Sequence, residues 1–294
     1  MISLQGIFPP LLTPFQENED LALDQLQANI RYLSQYGLAG FLILGSNGEL
    51  VHLTEGEKEA VYAAAREAIP SDKLMLAGTG GQATRETIRL TRMAAGAGAD
   101  AALVLNPYYY KGMMTREALV AHYRAVADAS PIPVIVYNMP ANSGLDMDAA
   151  TIVQIAEHEN IIGLKDSGGN IVKMGAIKRM AKPGFQILAG SASFLLPALS
   201  VGAIGGILAL ANIGPAQCIS VYENFLGGNL AEAQATQLEL IPINLAVTSQ
   251  WGVPALKAAM DHLGLYGGPG RRPLRPLEEG IREQLYGLMK RHLG

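Results

Sequence analysis

Lys165 is the residue of this chain whose type and surroundings are best suited to covalent chemistry. It follows the apolar run from Ile161 to Leu164, which is typical of a buried strand. Burying an ammonium group without a partner is costly and favours the neutral amine, which attacks carbonyl carbons. Two other roles stay open, because the side chain can also extend to solvent at the rim or pair with Asp166. The pattern indicates a nucleophilic lysine, with these structural roles as alternatives.

A tyrosine and a glycine-bounded turn follow two other apolar runs. Tyr137 ends the run PVIVYN, where a phenol at the end of a strand can relay protons. The alternative is a core tyrosine whose hydroxyl is hydrogen-bonded locally. The segment GSNGE, Gly45 to Glu49, offers backbone N–H groups, the Ser46 hydroxyl and the Asn47 amide to an anion. An ordinary connection between a strand and a helix is the alternative for this segment.

Other conspicuous residues favour structural roles. The segment GTGG at Gly78–Gly81 lacks the spacing of a P-loop or of a dinucleotide-binding fingerprint, so we interpret it as a strand–helix turn. The five histidines are scattered without the spacing of metal ligands, and we predict no metal site. The aromatic cluster Tyr108–Tyr110 is expected to pack against the site or against a neighbouring subunit.

Eight short apolar runs alternate with amphipathic segments along the chain, and these runs predict the strands that position the residues above. The runs are GIFPPLL, GFLILGS, KLMLAGT, AALVLNP, PVIVYNM, IIGLKDS, QILAGSA and GGILALA. Runs that are apolar on both faces suit parallel strands, and a repeat of about 25–30 residues suits strand–helix units. The sequence therefore predicts a (β/α)8 TIM barrel, whose chemistry lies at the carboxyl ends of the strands.

Helical patterns fill the intervals and continue to the end of the chain. One runs from Asp24 to Tyr36, one begins with a capping box at Thr54 and Glu57, and one begins at Thr115. After about residue 229 we expect no strand, only helices over about 230–249, 253–263 and 276–292. The expected organisation is a barrel over 1–228 and a C-terminal helical extension over 229–294, packed on the barrel.

Composition narrows the functional classes. The net charge is −4, so the totals do not point to a nucleic-acid or membrane partner. The only cysteine is Cys218, which excludes an intramolecular disulfide framework. The N-terminus does not resemble a signal peptide, and the longest apolar run, Ala203 to Ala211, is about half of a membrane span. We expect a cytoplasmic protein.

Three of these segments, in order, resemble motifs of the dihydrodipicolinate synthase and N-acetylneuraminate lyase superfamily. They are GSNGE, YNMPANSG and GLKDSGG, and the resemblance extends over nearly the whole chain. It implies a class I aldolase in which Lys165 forms a Schiff base with a 2-oxo acid. It also implies that Tyr137 relays protons with help from Ser46, and that Ser46 and Asn47 bind the carboxylate of pyruvate.

The resemblance implies further site residues and an assembly. Ser167 and Gly190 match positions that contact the far end of the substrate. Ile207 matches a position whose backbone carbonyl faces the Schiff base, and Tyr109 matches a tyrosine that crosses into a partner subunit's site. No metal or organic cofactor is implied, since the lysine supplies the electron sink. The implied assembly is a homotetramer built as a dimer of dimers.

Two positions separate this chain from the lysine-pathway synthases of the superfamily. Asn47 stands where those synthases usually carry a threonine, and Asn142 stands where they carry an arginine that binds the carboxylate of the aldehyde partner. Lys111 or Arg116 could replace that cation. The segments GSNGE, PANSGLD, GLKDSGG, LAGSA and LYGGP (Leu265–Pro269) are instead similar to those of 4-hydroxy-2-oxoglutarate aldolases.

The resemblance to these aldolases implies cleavage of a 4-hydroxy-2-oxo acid to pyruvate and an aldehyde such as glyoxylate. One alternative is a synthase that condenses pyruvate with aspartate semialdehyde. The other is a catalytically silent module that only binds 2-oxo acids.

Overall fold

Eight parallel strands form a nearly closed barrel in the computed structural model, which describes residues 2–294. Strands β2 to β8 pair in sequence order, and β8 pairs with β1. Backbone hydrogen bonds from Ala39 to Ile7 and from Leu42 to Pro9, each 3.0 Å, join the first two strands. The strands are β1 Gly6–Phe8, β2 Gly40–Ile43, β3 Leu74–Gly78, β4 Ala101–Leu105, β5 Val134–Asn138, β6 Ile161–Asp166, β7 Gln186–Ala189 and β8 Gly205–Ile207. The predicted (β/α)8 barrel is confirmed.

The interior of the barrel is a packed apolar core. Because side chains alternate along a strand, every second residue points inward, and the inward set forms one cluster. Its buried members are Leu4, Phe8, Leu42, Leu76, Ala101, Leu103, Ile135, Tyr137, Ile162, Leu188 and Ile207. A second and larger cluster fills the layer between the strands and the helices. The inner cluster fills the barrel, so the polar residues at the carboxyl ends of the strands face an apolar interior.

Helices follow the strands around the barrel. They are α1 Leu23–Leu33, α2 Glu55–Ala68, α3 Thr84–Gly96, α4 Arg116–Ala129, α5 Pro140–Ser143, α6 Ala149–Ala156, α7 Ile171–Met180, α8 Leu195–Ser200, α9 Pro215–Leu226, α10 Leu230–Leu245, α11 Gly252–His262 and α12 Glu279–His292. The capping box that Thr54 and Glu57 predict is present at the start of α2. Thr115 caps α4, where its hydroxyl accepts the N–H of Ala118.

The last three helices pack on one another and on the segments that follow β7 and β8. Helix α10 packs on α9 and on the segment that follows β7, and it continues into one π-turn over Ala246–Gln250. Helix α11 packs on the segment after β8 and on α12. These helices match the expected ranges, apart from a later start of α12. The division of the chain at residue 228 stays a prediction.

Over residues 2–294, none of the helices is both long enough and apolar enough to span a bilayer.

Candidate active site

Lys165 and Tyr137 are neighbours on adjacent strands at the upper end of the barrel. They are direct partners in the parallel register of β5 and β6. The Lys165 ammonium lies 4.1 Å from the centroid of the Tyr137 ring. Both side chains are buried. An amine and a phenol are thus held together at the end of the strands where barrel enzymes carry their chemistry.

The two structural alternatives for Lys165 do not describe its position. Its side chain does not extend to solvent, since the residue is only 3% exposed. The carboxylate of Asp166 is directed away to Lys173, 3.1 Å from its ammonium, and to the N–H of Gly168 at 2.7 Å. Among the described residues, Lys165 has no carboxylate within ion-pair distance. The Lys165 ammonium therefore interacts with Tyr137 and not with a carboxylate.

Tyr137 reaches a hydroxyl far away in the sequence. Its phenol oxygen lies 3.5 Å from the hydroxyl of Ser46, at the end of β2. Burial raises the pKa of Tyr137, but the positive charge of Lys165 and hydrogen bonds with Ser46, Lys165 and Ser167 more than offset this, so the pKa falls below its usual value of 10. A phenol with a lowered pKa, beside an amine, is suited to move protons.

The turn Gly45–Glu49 is a compact loop held in an unusual backbone conformation. The N–H groups of Gly48 and Glu49 donate to the carbonyls of Gly45 and Ser46, at 3.0 and 3.2 Å. These two turn bonds do not use the N–H groups of Ser46 and Asn47. Leu44, just before the turn, and Glu49, its last residue, both have φ of 55°. Non-glycine residues rarely adopt this left-handed conformation, and it often marks functional sites.

Ser167 and Gly190 lie next to each other, just after β6 and β7. The Ser167 hydroxyl lies 3.5 Å from the carbonyl of Gly190, and the N–H of Gly190 donates to the carbonyl of Asp166 at 2.8 Å. A Cβ atom at position 190 would lie 2.0 Å from the Ser167 hydroxyl and 2.7 Å from the Asp166 carbonyl. Only glycine allows the segments after β6 and β7 to approach this closely.

Ile207 and Tyr109 have contrasting environments. Ile207 ends β8 and is completely buried in the inner core, in the same cluster as Tyr137. Tyr109 is 74% exposed and stacks edge-on with Tyr110, with 5.1 Å between the ring centroids. The structure therefore groups Lys165, Tyr137 and Ser46, with Ile207 in the core cluster that includes Tyr137, and it gives the Tyr109 ring no contact with this group.

A recess of about 240 Å³ opens from Ser46 and Tyr137 toward the loop after β4. Its walls are mainly apolar, from Leu44, Leu103 and Leu105, with the amides of Asn106 and Asn142. None of the residues that line it carries a charge. Asn106 follows an apolar run in the sequence, a position from which a polar residue is expected to reach the barrel mouth, and it does line this recess.

Arg116 and Lys111, the two cations that could replace the synthase arginine, have different surroundings. Arg116 is bound elsewhere, to Asp148 at 2.8 Å and to the Thr151 hydroxyl at 3.2 Å, so it does not serve the recess. Lys111 is at the rim, where a Cβ atom added to Gly144 would lie 2.6 Å from its ammonium. Neither residue lines the recess.

Over residues 2–294, no group of three or more histidine, cysteine, aspartate or glutamate side chains is arranged to hold a metal ion.

A family model and several known proteins match this arrangement over nearly the whole chain. The model of the dihydrodipicolinate synthetase family matches residues 3–292. The chain belongs to the dihydrodipicolinate synthetase family. It is a class I, pyruvate-dependent aldolase, a carbon–carbon lyase that works through a Schiff base.

The relatives of this family member carry different names. A protein of Emericella nidulans named "Probable 4-hydroxy-2-oxoglutarate aldolase, mitochondrial" is 40% identical over 92% of this chain and 88% of its own. A 4-hydroxy-tetrahydrodipicolinate synthase of Methanoculleus marisnigri is 37% identical, over 98% and 99% of the two chains. Dihydrodipicolinate synthase DapA-2 from Bacillus anthracis superposes with a TM-score of 0.94, at 29% identity and 99% coverage of both chains.

Proposed function

We propose that this aldolase cleaves 4-hydroxy-2-oxoglutarate, or a related 4-hydroxy-2-oxo acid, to pyruvate and an aldehyde such as glyoxylate. The observation that carries the proposal is the grouping of Lys165, Tyr137 and Ser46 beside a recess without charged walls. The lysine and tyrosine provide the chemistry of a retro-aldol reaction. The neutral recess argues against a partner that needs a cation.

Substrate binding uses the turn Gly45–Glu49 and the free amine. The carboxylate next to the keto group accepts hydrogen bonds from Ser46 and Asn47, whose N–H groups are not spent within the turn. This places the keto carbon at the Lys165 amine. The amine attacks that carbon, and loss of water gives an iminium. The backbone carbonyl of Ile207 faces this group.

Bond cleavage follows from the positive charge on the iminium nitrogen. Tyr137, assisted by Ser46, takes the proton of the 4-hydroxyl group. The bond between carbons 3 and 4 breaks, its electron pair moves to the iminium, and glyoxylate leaves. The resulting enamine is protonated at carbon 3, and water releases pyruvate and restores the amine. The Ser167 hydroxyl donates to the far carboxylate in this scheme, and Gly190 contacts the same end of the substrate.

The alternative function is condensation of pyruvate with aspartate semialdehyde. A relative of about equal similarity bears the name of such a synthase, so similarity alone does not favour either reaction. Asn142 favours the aldolase, because an asparagine cannot reproduce the bidentate, charge-assisted bond of an arginine with a carboxylate. The uncharged recess supports the same conclusion.

A comparison of kcat/KM for the two reactions tests the proposal. We expect cleavage of 4-hydroxy-2-oxoglutarate to exceed condensation with aspartate semialdehyde by at least about 10-fold, or about 1.4 kcal/mol at the transition state. The variant Asn142→Arg provides a matched comparison, since it should lower the ratio of kcat/KM for cleavage to kcat/KM for condensation. Faster condensation by the wild type would assign the chain to the synthases. A wild type that binds pyruvate without either reaction would indicate a silent binding module.

The proposed assembly is a homotetramer, and the proposed location is the cytoplasm. Exposed apolar side chains beside the recess support a contact between subunits; they are Val51, Tyr109, Tyr110 and Met113. Tyr109 would then complete the site of a partner subunit. Light scattering at several protein concentrations tests the assembly, and a monomeric enzyme with full activity would overturn it.

A further inference from the structure

Glu49 closes the turn that is proposed to hold the substrate carboxylate, and its own carboxylate is buried. The residue is only 2% exposed. One oxygen, Oε2, accepts the backbone N–H of Arg271 at 3.0 Å and lies 3.1 Å from Nδ1 of His52. The other, Oε1, lies 3.3 Å from the Lys257 ammonium, an ion pair whose geometry is not that of a regular hydrogen bond. Two of these three partners come from the C-terminal part of the chain.

Lys257, in the middle of α11, holds the turn at two points. It is 1% exposed, and its ammonium donates to the carbonyls of Thr13 at 2.7 Å and Gly267 at 3.2 Å, besides pairing with Glu49. Burial lowers the pKa of Lys257, although the charges of Glu49 and Asp261 act in the opposite direction. The Thr13 hydroxyl in turn donates to the carbonyl of Gly48 at 2.6 Å.

The LYGGP segment, Leu265–Pro269, explains how the C-terminal region comes so close to the turn. A Cβ atom on Gly267 would lie 2.0 Å from the carbonyl oxygen of Lys257. Gly268 has φ of 65°, in the left-handed region that glycine tolerates best. Asp261 accepts the N–H groups of both glycines, at 2.7 and 3.2 Å. This tight path leads directly to Arg271.

Arg271 joins the turn to the segments around it. Its guanidinium donates to the carbonyls of His52 at 3.0 Å and Glu19 at 2.6 Å. It also binds both oxygens of Glu57, at 2.6 and 2.8 Å, and this bond is the main reason that the pKa of Glu57 falls to about 2. The guanidinium is thus a second connection between the C-terminal region and the residues that follow the turn.

We propose that Lys257 is a positioning residue that acts through Glu49. Together with the backbone N–H of Arg271, it holds the turn Gly45–Glu49 in the conformation that binds pyruvate. The inference rests on the proposed function, because it assumes that this turn receives the carboxylate of pyruvate. A buried ion pair is weak evidence of a stabilising role, since apolar replacement of both partners is often neutral or stabilising. Here the ion pair fixes the side chain of Glu49, a residue whose backbone is strained.

The test compares pyruvate binding and thermal stability in four full-length variants. They are Lys257→Met, Glu49→Gln, the double variant Glu49→Gln/Lys257→Met, and the control Arg124→Met. The control removes a surface ion pair of 2.8 Å between Arg124, on α4, and Glu157, at the end of α6. Pyruvate half-saturation is measured from borohydride trapping at a series of pyruvate concentrations, which needs no aldehyde partner. Tm is measured on the same preparations.

If Lys257 positions the turn, pyruvate binding and Tm should respond differently to these substitutions. Lys257→Met should lower Tm, because it leaves a buried carboxylate without its ammonium partner. It should also raise the pyruvate concentration for half-saturation by at least about 10-fold. The double variant should regain part of the Tm, because no unpaired carboxylate stays buried, but not all of it, because the carbonyls of Thr13 and Gly267 still lack the ammonium. It should keep the weak pyruvate binding, since the turn is no longer held. The control should match the wild type in half-saturation. Glu49→Gln keeps the shape of the side chain and should weaken binding even if Lys257→Met does not fold.

The results that would overturn the inference are distinct from those that would overturn the proposed function. If pyruvate binding recovers together with Tm in the double variant, or if Glu49→Gln binds pyruvate as the wild type does, the pair is only structural. A wild type that pyruvate and borohydride do not label would overturn both proposals. A wild type that is labelled but does not cleave 4-hydroxy-2-oxoglutarate would overturn only the substrate assignment.

Discussion

The Lys165 ammonium lies 4.1 Å from the centroid of the Tyr137 ring, and the two residues are paired in the register of β5 and β6. Their distance is therefore fixed by the backbone of two strands in the middle of the sheet and does not depend on a mobile loop. A site on rigid strands holds its groups in place more accurately than a site on loops. The first two predictions concern this pair.

Lys165→Ala should abolish the covalent adduct that pyruvate forms in the presence of borohydride, because no other described amine lies beside Tyr137 and Ser46. Turnover should fall by about 10³-fold or more, since the nucleophile is lost. Mass spectrometry of the intact chain measures the adduct. Lys111→Ala, which removes the lysine at the rim, is the matched control and should label as the wild type does. An equal adduct in Lys165→Ala would contradict the assignment.

Tyr137→Phe should fold normally and lose kcat by on the order of 10²-fold or more, as expected for a positioned acid–base group. The phenyl ring keeps the contact with the lysine but lacks the hydroxyl near Ser46. Borohydride trapping with pyruvate should be less affected than cleavage, because the proton of the 4-hydroxyl group is removed only during cleavage. Near-normal kcat in this variant would mean that Tyr137 is a core tyrosine.

The fold and the position of Lys165 at the end of a buried strand could be predicted from the sequence because both leave local patterns. Eight apolar runs at a regular spacing indicate strand–helix units, and a lysine at the end of such a run has few structural uses. The same alternation also indicated Tyr137 and Ser46 as residues at the ends of strands.

The network around Glu49 left no comparable pattern. Lys257 lies more than 200 positions further along the chain, in a helix whose sequence does not reveal which face is buried. Arg271 follows a glycine turn whose path depends on contacts with Phe15 and α11. Long-range ion pairs form between segments that the fold brings together, so their partners cannot be found from spacing within either segment. The recess beside Asn106 depends in the same way on several loops.

Gly190→Ala should reduce kcat/KM by at least about 10-fold, or about 1.4 kcal/mol, through displacement of Ser167 and the strand that carries Lys165. The added methyl group would lie 2.7 Å from the backbone carbonyl of Asp166, a contact that side-chain rotation cannot relieve. Steady-state kinetics with 4-hydroxy-2-oxoglutarate measures the effect. Gly175→Ala is the control, because the nearest side-chain atom to its added Cβ is 3.7 Å away. Equal kcat/KM in the two variants would show that Gly190 is not part of the site.

His122 should make the protein less stable in mild acid. The imidazole is buried on α4, with Nδ1 2.9 Å from the Thr84 hydroxyl, and no partner among residues 2–294 binds Nε2. Burial lowers the pKa of His122 from 6.5 to about 4. The unfolded chain therefore takes up a proton below pH 6.5 that the folded chain does not accept. Stability is complete above pH 6.5 and decreases as the pH falls toward 4, by about 3 kcal/mol at most.

Urea unfolding at several pH values between 7 and 4 measures this dependence. His122→Gln removes the titrating group, so its free energy of unfolding should decrease less over this range than that of the wild type. His262→Gln controls for the loss of a histidine, because His262 is exposed and stacks on Tyr286 with 3.9 Å between ring centroids. If His122→Gln loses as much stability as the wild type between pH 6.5 and 4, the acid sensitivity comes from other groups, such as carboxylates whose pKa is lowered in the folded chain.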